Sequence, residues 1–367
     1  MILMNDFKAE PAELREAMLK ATKRVIDSGW YVLGNEVEKF EKQWAAVCRV
    51  QYGVGVGNGM DAIEIAFRAL DIGPGNEVIT TPMTAFATVL AIFRAGATPV
   101  LADIDAETAL LSLKSVERCI TNKTKAILLV HLYGQIRQMP VWQQFCKDKN
   151  IHLIEDCAQA HLASAAGKVA GSFGIAGAYS FYPTKNLGAL GDAGMLVTEN
   201  STLAERASQL RNYGQSVRYH HPELGMNSRL DELHAAMLVE KLVWLKEFTE
   251  RRRQIAEIYR KEITNPLVEH LAPPEERAAH VYHLFVVTCP QREALQLHLQ
   301  HNHIQALIHY PIPLQQQEPC RHIKRDVQGL GISEKHAAEC LSLPCHPQMS
   351  EADVAQVIDA VNTFKAS

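Results

Sequence analysis

The 367-residue sequence lacks any apolar run that approaches the length of a membrane-spanning helix, which needs about 20 residues. Its formal net charge is only -4, from 37 basic and 41 acidic residues, and these charges are scattered along the chain. A groove for nucleic acid and a basic membrane-binding patch are therefore not predicted. Met1 to Asp6 also lack the basic start and the apolar core of a signal peptide. Together these absences predict a cytoplasmic protein.

Cysteine is present but forms no recognisable metal or redox pattern. None of the eight cysteines belongs to a Cys-x-x-Cys pair. In a cytosolic chain of this length we expect small buried side chains rather than disulfides. Two short pairs, Cys320/His322 and Cys345/His346, lack the usual spacing of zinc ligands, so no metal site is predicted.

Both common glycine-rich phosphate fingerprints are also missing. A short apolar strand from Tyr52 leads through Gly57-Asn58-Gly59 into an amphipathic helix. Asn58 or Met60 stands where a dinucleotide motif needs its third glycine, and no Gly-x-x-x-x-Gly-Lys-Ser/Thr run occurs. Unpaired N–H groups at the start of a helix can still bind a single phosphate. The segment from Gly57 to Gly59 is therefore a candidate anion site.

What the sequence contains is a regular alternation of short apolar strands and amphipathic helices between Tyr52 and Thr198. This pattern predicts an α/β fold with a mostly parallel sheet sandwiched by helices. After Gly194 the pattern changes to long helices over 230–263 and then to a mixed pattern of short strands and helices. We predict a large domain over residues 1–245 and a smaller α+β C-terminal domain over residues 246–367.

Groups that can do chemistry follow the ends of the predicted strands, where α/β sheets bind their ligands. Asp156 ends one strand and Gln159 lies three residues on, Phe86 follows another strand, and Ser180 precedes Lys185. Taken alone, Lys185 is more simply interpreted as a solvated lysine. Together these groups fit pyridoxal 5′-phosphate (PLP), whose aldehyde forms a Schiff base with a lysine and whose ring nitrogen is kept protonated by a carboxylate.

All of these residues except Phe86 stand within longer motifs that resemble one known family. The motifs are Glu155-Asp-Cys-Ala-Gln159, Ser180-Phe-Tyr-Pro-Thr-Lys185, Gly191-Asp-Ala-Gly194 and Asn227-Ser-Arg-Leu-Asp-Glu232. In this order they resemble the nucleotide-sugar aminotransferases of PLP fold type I, the DegT-type family, and the match runs from Gly29 to Pro344. The resemblance implies the PLP-dependent transferase fold and a homodimer whose two active sites lie at the subunit interface.

The resemblance also implies a role for each matching residue. Lys185 would be the Schiff-base lysine, Asp156 would pair with the pyridine nitrogen, and Gln159 would lie near the 3′-oxygen. Phe86 would stack on the ring. The phosphate would be bound by Asn58, Gly59, Met60 and Ser180, and by Asn227 from the neighbouring subunit. The sugar side would be lined by Tyr31, Tyr182, His309 and Tyr310.

The form of the lysine motif, with Ile308-His-Tyr-Pro311, is most similar to enzymes that aminate C3 of a dTDP-3-keto-6-deoxyhexose. Such enzymes use L-glutamate as the amino donor and make 3-amino-3,6-dideoxy sugars for surface polysaccharides or natural products. Three alternatives remain: amination of a 4-keto nucleotide sugar, a dehydratase, and a non-enzymatic regulatory protein with the same fold. Lysine at position 185 argues against a dehydratase, which has histidine there, and Lys185 with Asp156 argues against a regulatory protein.

A few positions depart from the family pattern or stay open. Leu162 replaces a glycine, Gln315 replaces a histidine and His234 replaces a glutamine. Asp103 and His131 also follow strand ends, where a capping role and a packing role are open beside a catalytic one.

Overall fold

The computed structural model describes residues 1–365, which form a large α/β/α unit and a smaller α+β unit. The helices are α1 (Ala12–Ser28), α2 (Asn35–Cys48), α3 (Gly59–Ala69), α4 (Phe86–Arg94), α5 (Leu113–Cys119), α6 (Met139–Lys149), α7 (Ser201–Leu210), α8 (Glu232–Glu262), α9 (Arg292–His301), α10 (Gly331–Glu339) and α11 (Glu351–Thr363). The strands are β1 (Tyr52–Val56), β2 (Glu77–Thr80), β3 (Thr98–Leu101), β4 (Thr124–Val130), β5 (His152–Asp156), β6 (Ser164–Ala165), β7 (Lys168–Val169), β8 (Ala176–Ser180), β9 (Gly194–Thr198), β10 (Glu269–His270), β11 (Phe285–Thr288), β12 (Lys324–Arg325) and β13 (Cys340–Leu343).

An eight-stranded sheet forms the centre of the molecule, in the order β1-β9-β8-β5-β4-β2-β3-β12. In the part of the chain that is described, β9 is antiparallel to both of its neighbours and the other seven strands share one direction. The predicted mostly parallel sheet is thus present. The single reversed strand places the end of β8 beside the start of β9 and the end of β1.

Helices cover both faces of this sheet because its strands are apolar on both sides. On β4, Ile127 and Leu129 pack with α2, α6 and α8, whereas Ala126 and Leu128 pack with α3, α4 and α7. This alternation follows from the two-residue period of a strand. A sheet buried on both faces leaves polar side chains mainly at the strand ends, and that is where the candidate site lies.

The smaller unit has a three-stranded antiparallel sheet, β10-β11-β13, packed with α9, α11 and the C-terminal half of α8. Helix α8 continues without a break through the predicted boundary after residue 245. Leu245 packs in the core beside the large sheet, whereas Ile255 packs in the smaller core. Strand β12 returns to pair with β3 at the edge of the large sheet. The boundary itself stays a prediction.

Within residues 1–365, none of the helices combines the length and the apolar character that crossing a bilayer requires.

Candidate active site

The predicted phosphate-binding residues meet at the start of α3. Asn58 caps this helix, since its side-chain oxygen accepts a hydrogen bond from the N–H of the third helical residue at 2.9 Å. The first intrahelical bond runs from the Ala62 N–H to the Asn58 carbonyl at 3.2 Å. The N–H groups of Gly59 and Met60 precede that bond and have no acceptor inside the helix. Ser180 lies against this end, because a Cβ on Gly59 would come within 2.7 Å of the Ser180 Cβ. Free N–H donors at the positive end of a helix, beside a hydroxyl, are suited to bind an anion.

Lys185 follows β8 in a tight turn in which its N–H donates to the Tyr182 carbonyl at 2.8 Å. Its side chain is half-buried rather than solvated. Burial lowers the pKa of Lys185 to about 8, against the opposing effect of the Asp156 carboxylate. An amine with this pKa is neutral in a useful fraction of molecules near pH 7, so it can act as a nucleophile or a base.

Asp156 is the last residue of β5 and is buried. The Thr88 hydroxyl donates to Oδ2 at 2.9 Å and the Ala158 N–H donates to Oδ1 at 3.1 Å. Burial raises the pKa of Asp156 above its usual value, and these two donors and Lys185 act in the opposite direction. Phe86 begins α4, the helix that carries Thr88, and is 36% exposed. Asp156 and Phe86 can therefore contact the same cofactor ring.

The sequence does not single out Thr88. Every other residue of α4 before Arg94 is apolar, so a polar residue two positions after Phe86 is the signal that could have drawn attention to it. Its second contact is a hydroxyl–hydroxyl bond of 2.8 Å with Thr84. Thr88 therefore links the loop before α4 to the carboxylate at the end of β5.

Gln159 is buried on the loop that follows β5. Its Oε1 accepts the Tyr133 N–H at 2.6 Å, and its Nε2 donates to the Tyr310 hydroxyl at 3.2 Å. Burial raises the pKa of Tyr310 to about 12, and the negative charge of Asp156 acts in the same direction. Tyr310, predicted to line the sugar side, therefore lies among the predicted cofactor-binding residues.

His309 lies beside this group and is half-buried. Its Nδ1 is 2.8 Å from the Ser342 hydroxyl on β13. Burial lowers the pKa of His309 to about 4, with the Lys185 charge acting in the same direction. The imidazole is thus neutral near pH 7 and can either donate or accept a hydrogen bond.

Tyr31, Tyr182 and Asn227 have exposed side chains in the single chain, and the two tyrosines are 53% and 50% exposed. Tyr31 is nevertheless held firmly, since the Glu232 N–H donates to its carbonyl at 3.2 Å. The Glu232 carboxylate accepts three backbone N–H groups around the start of α2, at 2.8, 2.9 and 3.0 Å. Tyr182 is tied to the site through its backbone, since its carbonyl accepts the Lys185 N–H and its own N–H donates to the Ser180 hydroxyl at 3.3 Å. The roles predicted for the three side chains stay predictions.

A buried trio, His131, Glu155 and Cys157, has the residue types of a metal site. Glu155, however, accepts backbone N–H groups from Gly171, Phe173 and Gly174 at 2.8 to 2.9 Å and contacts His131 Nε2 at 2.8 Å. Its oxygens are therefore already engaged in holding the segment before β8. This arrangement supports the structural role that was left open for His131.

Two other open positions also have structural explanations. Asp103 accepts the N–H groups of Ile332 and Ser333, each at 3.0 Å, and so caps the start of α10. These contacts support a structural role for Asp103, at the start of a helix that lies far along the chain. Leu162 has φ 71°, in the left-handed region that favours the glycine of its relatives.

Together these groups offer what PLP requires. The N–H groups of α3 with Ser180 suit the phosphate, Asp156 suits the ring nitrogen, Phe86 suits a ring face and Lys185 suits the aldehyde. The close approach of Gly59 to Ser180, which a larger residue would prevent, keeps the backbone donors and the hydroxyl on one side of the site.

A scan against protein families matches residues 12–362 to the DegT/DnrJ/EryC1/StrS aminotransferase family. The chain is 45% identical over 364 residues, 99% of each chain, to the dTDP-3-amino-3,6-dideoxy-alpha-D-galactopyranose transaminase of Aneurinibacillus thermoaerophilus. It is 40% identical to the dTDP-3-amino-3,4,6-trideoxy-alpha-D-glucose transaminase of Streptomyces venezuelae, with 98% of this chain and 95% of that protein covered.

Among solved structures, DesV of S. venezuelae in complex with a ketimine intermediate superposes with a TM-score of 0.94. That match has 40% identity and covers 99% of this chain and 97% of the other. The predicted fold type I is confirmed by this likeness and by the sheet order. The predicted cofactor, PLP, and the predicted class of enzyme, a transaminase, are confirmed as well. This chain belongs to the DegT/DnrJ/EryC1/StrS aminotransferase family.

Proposed function

We propose that this aminotransferase moves the amino group of L-glutamate to C3 of a dTDP-linked 3-keto-6-deoxyhexose, giving a dTDP-3-amino-3,6-dideoxyhexose. The observation that carries the proposal is the end-to-end similarity to transaminases named for dTDP-3-amino sugars. The product would serve the synthesis of a surface polysaccharide or a natural product. A cytoplasmic location stays a prediction.

The residues around Lys185 support amino-group transfer by their charge states. When bound, PLP withdraws electrons from the carbon that bears the substrate's amino group, and so makes that carbon easier to deprotonate. Lys185 Nζ, whose pKa is about 8, can take up and release a proton near neutral pH. Asp156 accepts two hydrogen bonds in a buried position, and its ionised carboxylate would act strongly on a protonated ring nitrogen because little water screens the charge there. Gln159 and the first N–H groups of α3 supply donors with fixed directions.

The position of amination can be tested directly. The PLP-loaded enzyme is incubated with L-glutamate and, separately, with 3-keto and 4-keto dTDP-hexoses and a 3-keto UDP-hexose, and the products are identified by NMR. We expect amination of the 3-keto dTDP sugar, and no product with Lys185→Ala. Faster amination of the 4-keto sugar would contradict the proposal and favour the 4-keto alternative.

The exposed residues around the site support a homodimer with shared active sites. Tyr31, Tyr182 and Asn227 have exposed side chains. In the loop 212–227, Tyr219 is 80% exposed and Leu224 is 87% exposed. Exposed apolar groups beside predicted ligand-binding residues are typical of a surface that a second subunit covers. We place Asn227 of each subunit at the phosphate site of the other.

Mixing two inactive variants tests this arrangement. In a mixed dimer of Lys185→Ala and Asn227→Ala subunits, one site has both residues intact if Asn227 acts across the interface. We therefore expect activity to return on mixing, whereas Lys185→Ala mixed with Asp156→Ala should stay inactive because both residues serve the same subunit. No recovery in the first mixture would place Asn227 in its own subunit's site.

A further inference from the structure

Tyr133 follows closely after the end of β4, is 2% exposed and has hydrogen-bond partners in three separate segments of the chain. Its backbone N–H donates to Gln159 Oε1 at 2.6 Å. Its hydroxyl is 2.6 Å from the His309 carbonyl and 2.9 Å from His336 Nε2. One buried tyrosine therefore joins the loop after β5, the segment before β13 and helix α10.

The backbone contact decides which way the Gln159 amide points. A backbone N–H can only donate, so the atom that faces Tyr133 must be the amide oxygen. The amide NH₂ of Gln159 then faces the other way, towards the Tyr310 hydroxyl at 3.2 Å. The side chain that is predicted to lie by the cofactor ring thus presents a donor, not an acceptor, to the cleft.

The hydroxyl contacts have directions that follow from the same reasoning. The His309 carbonyl can only accept, so the Tyr133 hydroxyl donates its single proton there. His336 Nε2 must then be the donor to the Tyr133 oxygen, which fixes the tautomer of a histidine whose pKa is lowered to about 4 by burial. The chain of donors runs from His336 through Tyr133 to the peptide between His309 and Tyr310.

The backbone at Tyr133 is itself unusual, and it is packed closely. Its φ of 62° lies in the left-handed region, where a residue with a large side chain is rarely found. Such conformations persist where surrounding contacts determine them, and they cluster at functional sites. The next residue, Gly134, leaves no room for a side chain, because a Cβ there would come within 2.7 Å of the Gln159 carbonyl.

We propose that Tyr133 is a positioning residue that holds the His309–Tyr310 peptide and the Gln159 amide in one fixed relation and so sets the affinity of the site for its nucleotide sugar. This inference rests on the proposed function and on the prediction that His309 and Tyr310 line the sugar side. Tyr133 acts through these neighbours and does not itself touch the reacting atoms.

The test is Tyr133→Phe, which removes the hydroxyl and leaves the N–H bond to Gln159. Titration calorimetry with dTDP-glucose measures sugar-nucleotide binding without turnover. We expect the Kd to rise about tenfold, the effect of losing roughly one buried hydrogen bond. The half-reaction with L-glutamate should keep its rate, since the cofactor-binding residues are unchanged.

The matched control is Tyr259→Phe, which removes an equally buried hydroxyl that donates to the Pro344 carbonyl at 2.9 Å in the smaller unit. It should leave the Kd unchanged, which separates positioning from a general loss of stability. If Tyr133→Phe does not fold, His336→Phe takes its place. This variant should also raise the Kd, because it removes the donor to the Tyr133 oxygen. An unchanged Kd in the variant that folds, or an equal rise in Tyr259→Phe, would overturn the proposal. Failure of the wild-type enzyme to bind dTDP-glucose would instead count against the proposed substrate.

Discussion

Replacing Thr88 with valine should weaken cofactor binding on the acidic side of neutrality. The two side chains have nearly the same shape, so the change removes the hydroxyl that donates to Asp156 Oδ2 and disturbs the packing of α4 little. Without that donor the ionised form of Asp156 loses one of the groups that stabilise it. Because burial already raises the pKa of Asp156, a further rise moves its protonation closer to neutral pH.

The size of the effect follows from the geometry of the bond. A hydrogen bond to a charged group is worth about 1.5–3 kcal/mol. The O–H···O⁻ distance here is 2.9 Å, longer than the ~2.5–2.7 Å of the strongest such bonds, so we take the lower end. At about 1.4 kcal/mol per pKa unit, the pKa of Asp156 should rise by about one unit.

The measurement is the dissociation constant of PLP from the apoenzyme as a function of pH. Protonated Asp156 cannot pair with a protonated ring nitrogen, so affinity falls as the pH drops through the Asp156 pKa. This acid limb should move to higher pH by about one unit in Thr88→Val and stay in place in Thr88→Ser, which keeps a donor. Thr84→Val is a second control, because it removes the hydroxyl beside Thr88 and leaves the bond to Asp156. An unmoved limb in Thr88→Val, or an equal shift in Thr88→Ser, would refute the reasoning.

Three further predictions concern the charged groups. The rate at which apoenzyme binds PLP covalently should rise with pH through about 8, where the Lys185 amine loses its proton. Stopped-flow absorbance measures this rate, and a flat profile would show that burial does not lower the pKa of Lys185. Glu155→Gln should reduce the free energy of unfolding in urea by about 3 kcal/mol or more, because an NH₂ group would face backbone donors. Asp156→Asn should reduce it by under about 1 kcal/mol. Equal losses in the two variants would contradict the separate roles given to these neighbours. Glu232→Ala should cost about 2 kcal/mol by uncapping α2, while Glu240→Ala, which removes a partly exposed ion pair with Arg24, should cost about 0.5 kcal/mol in the same assay.

Local sequence was enough to predict most of the large unit. The alternation predicted between Tyr52 and Thr198 is present as strands β1 to β5, β8 and β9, with α3, α4, α5 and α6 between the first five of them. Such elements follow from hydrophobic periodicity, which is a property of neighbouring residues. Short elements such as α10 and β12 were not predicted, because their formation depends on distant partners, Asp103 for α10 and β3 for β12.

The sequence by itself determined which chemical groups this protein brings to its site: a lysine after a strand, a carboxylate at the end of another, and a helix start with free N–H groups. It determined these because strand ends in a parallel sheet meet at one edge, whatever the loops between them. Only the tertiary structure decided the pKa values and the orientations of these groups. Thr88 and Asp156 are 68 residues apart in the chain, and Tyr133 and His309 are 176 apart. Burial and hydrogen bonding set the pKa of Lys185 and the direction of the Gln159 amide, and both depend on contacts between segments that no local pattern connects.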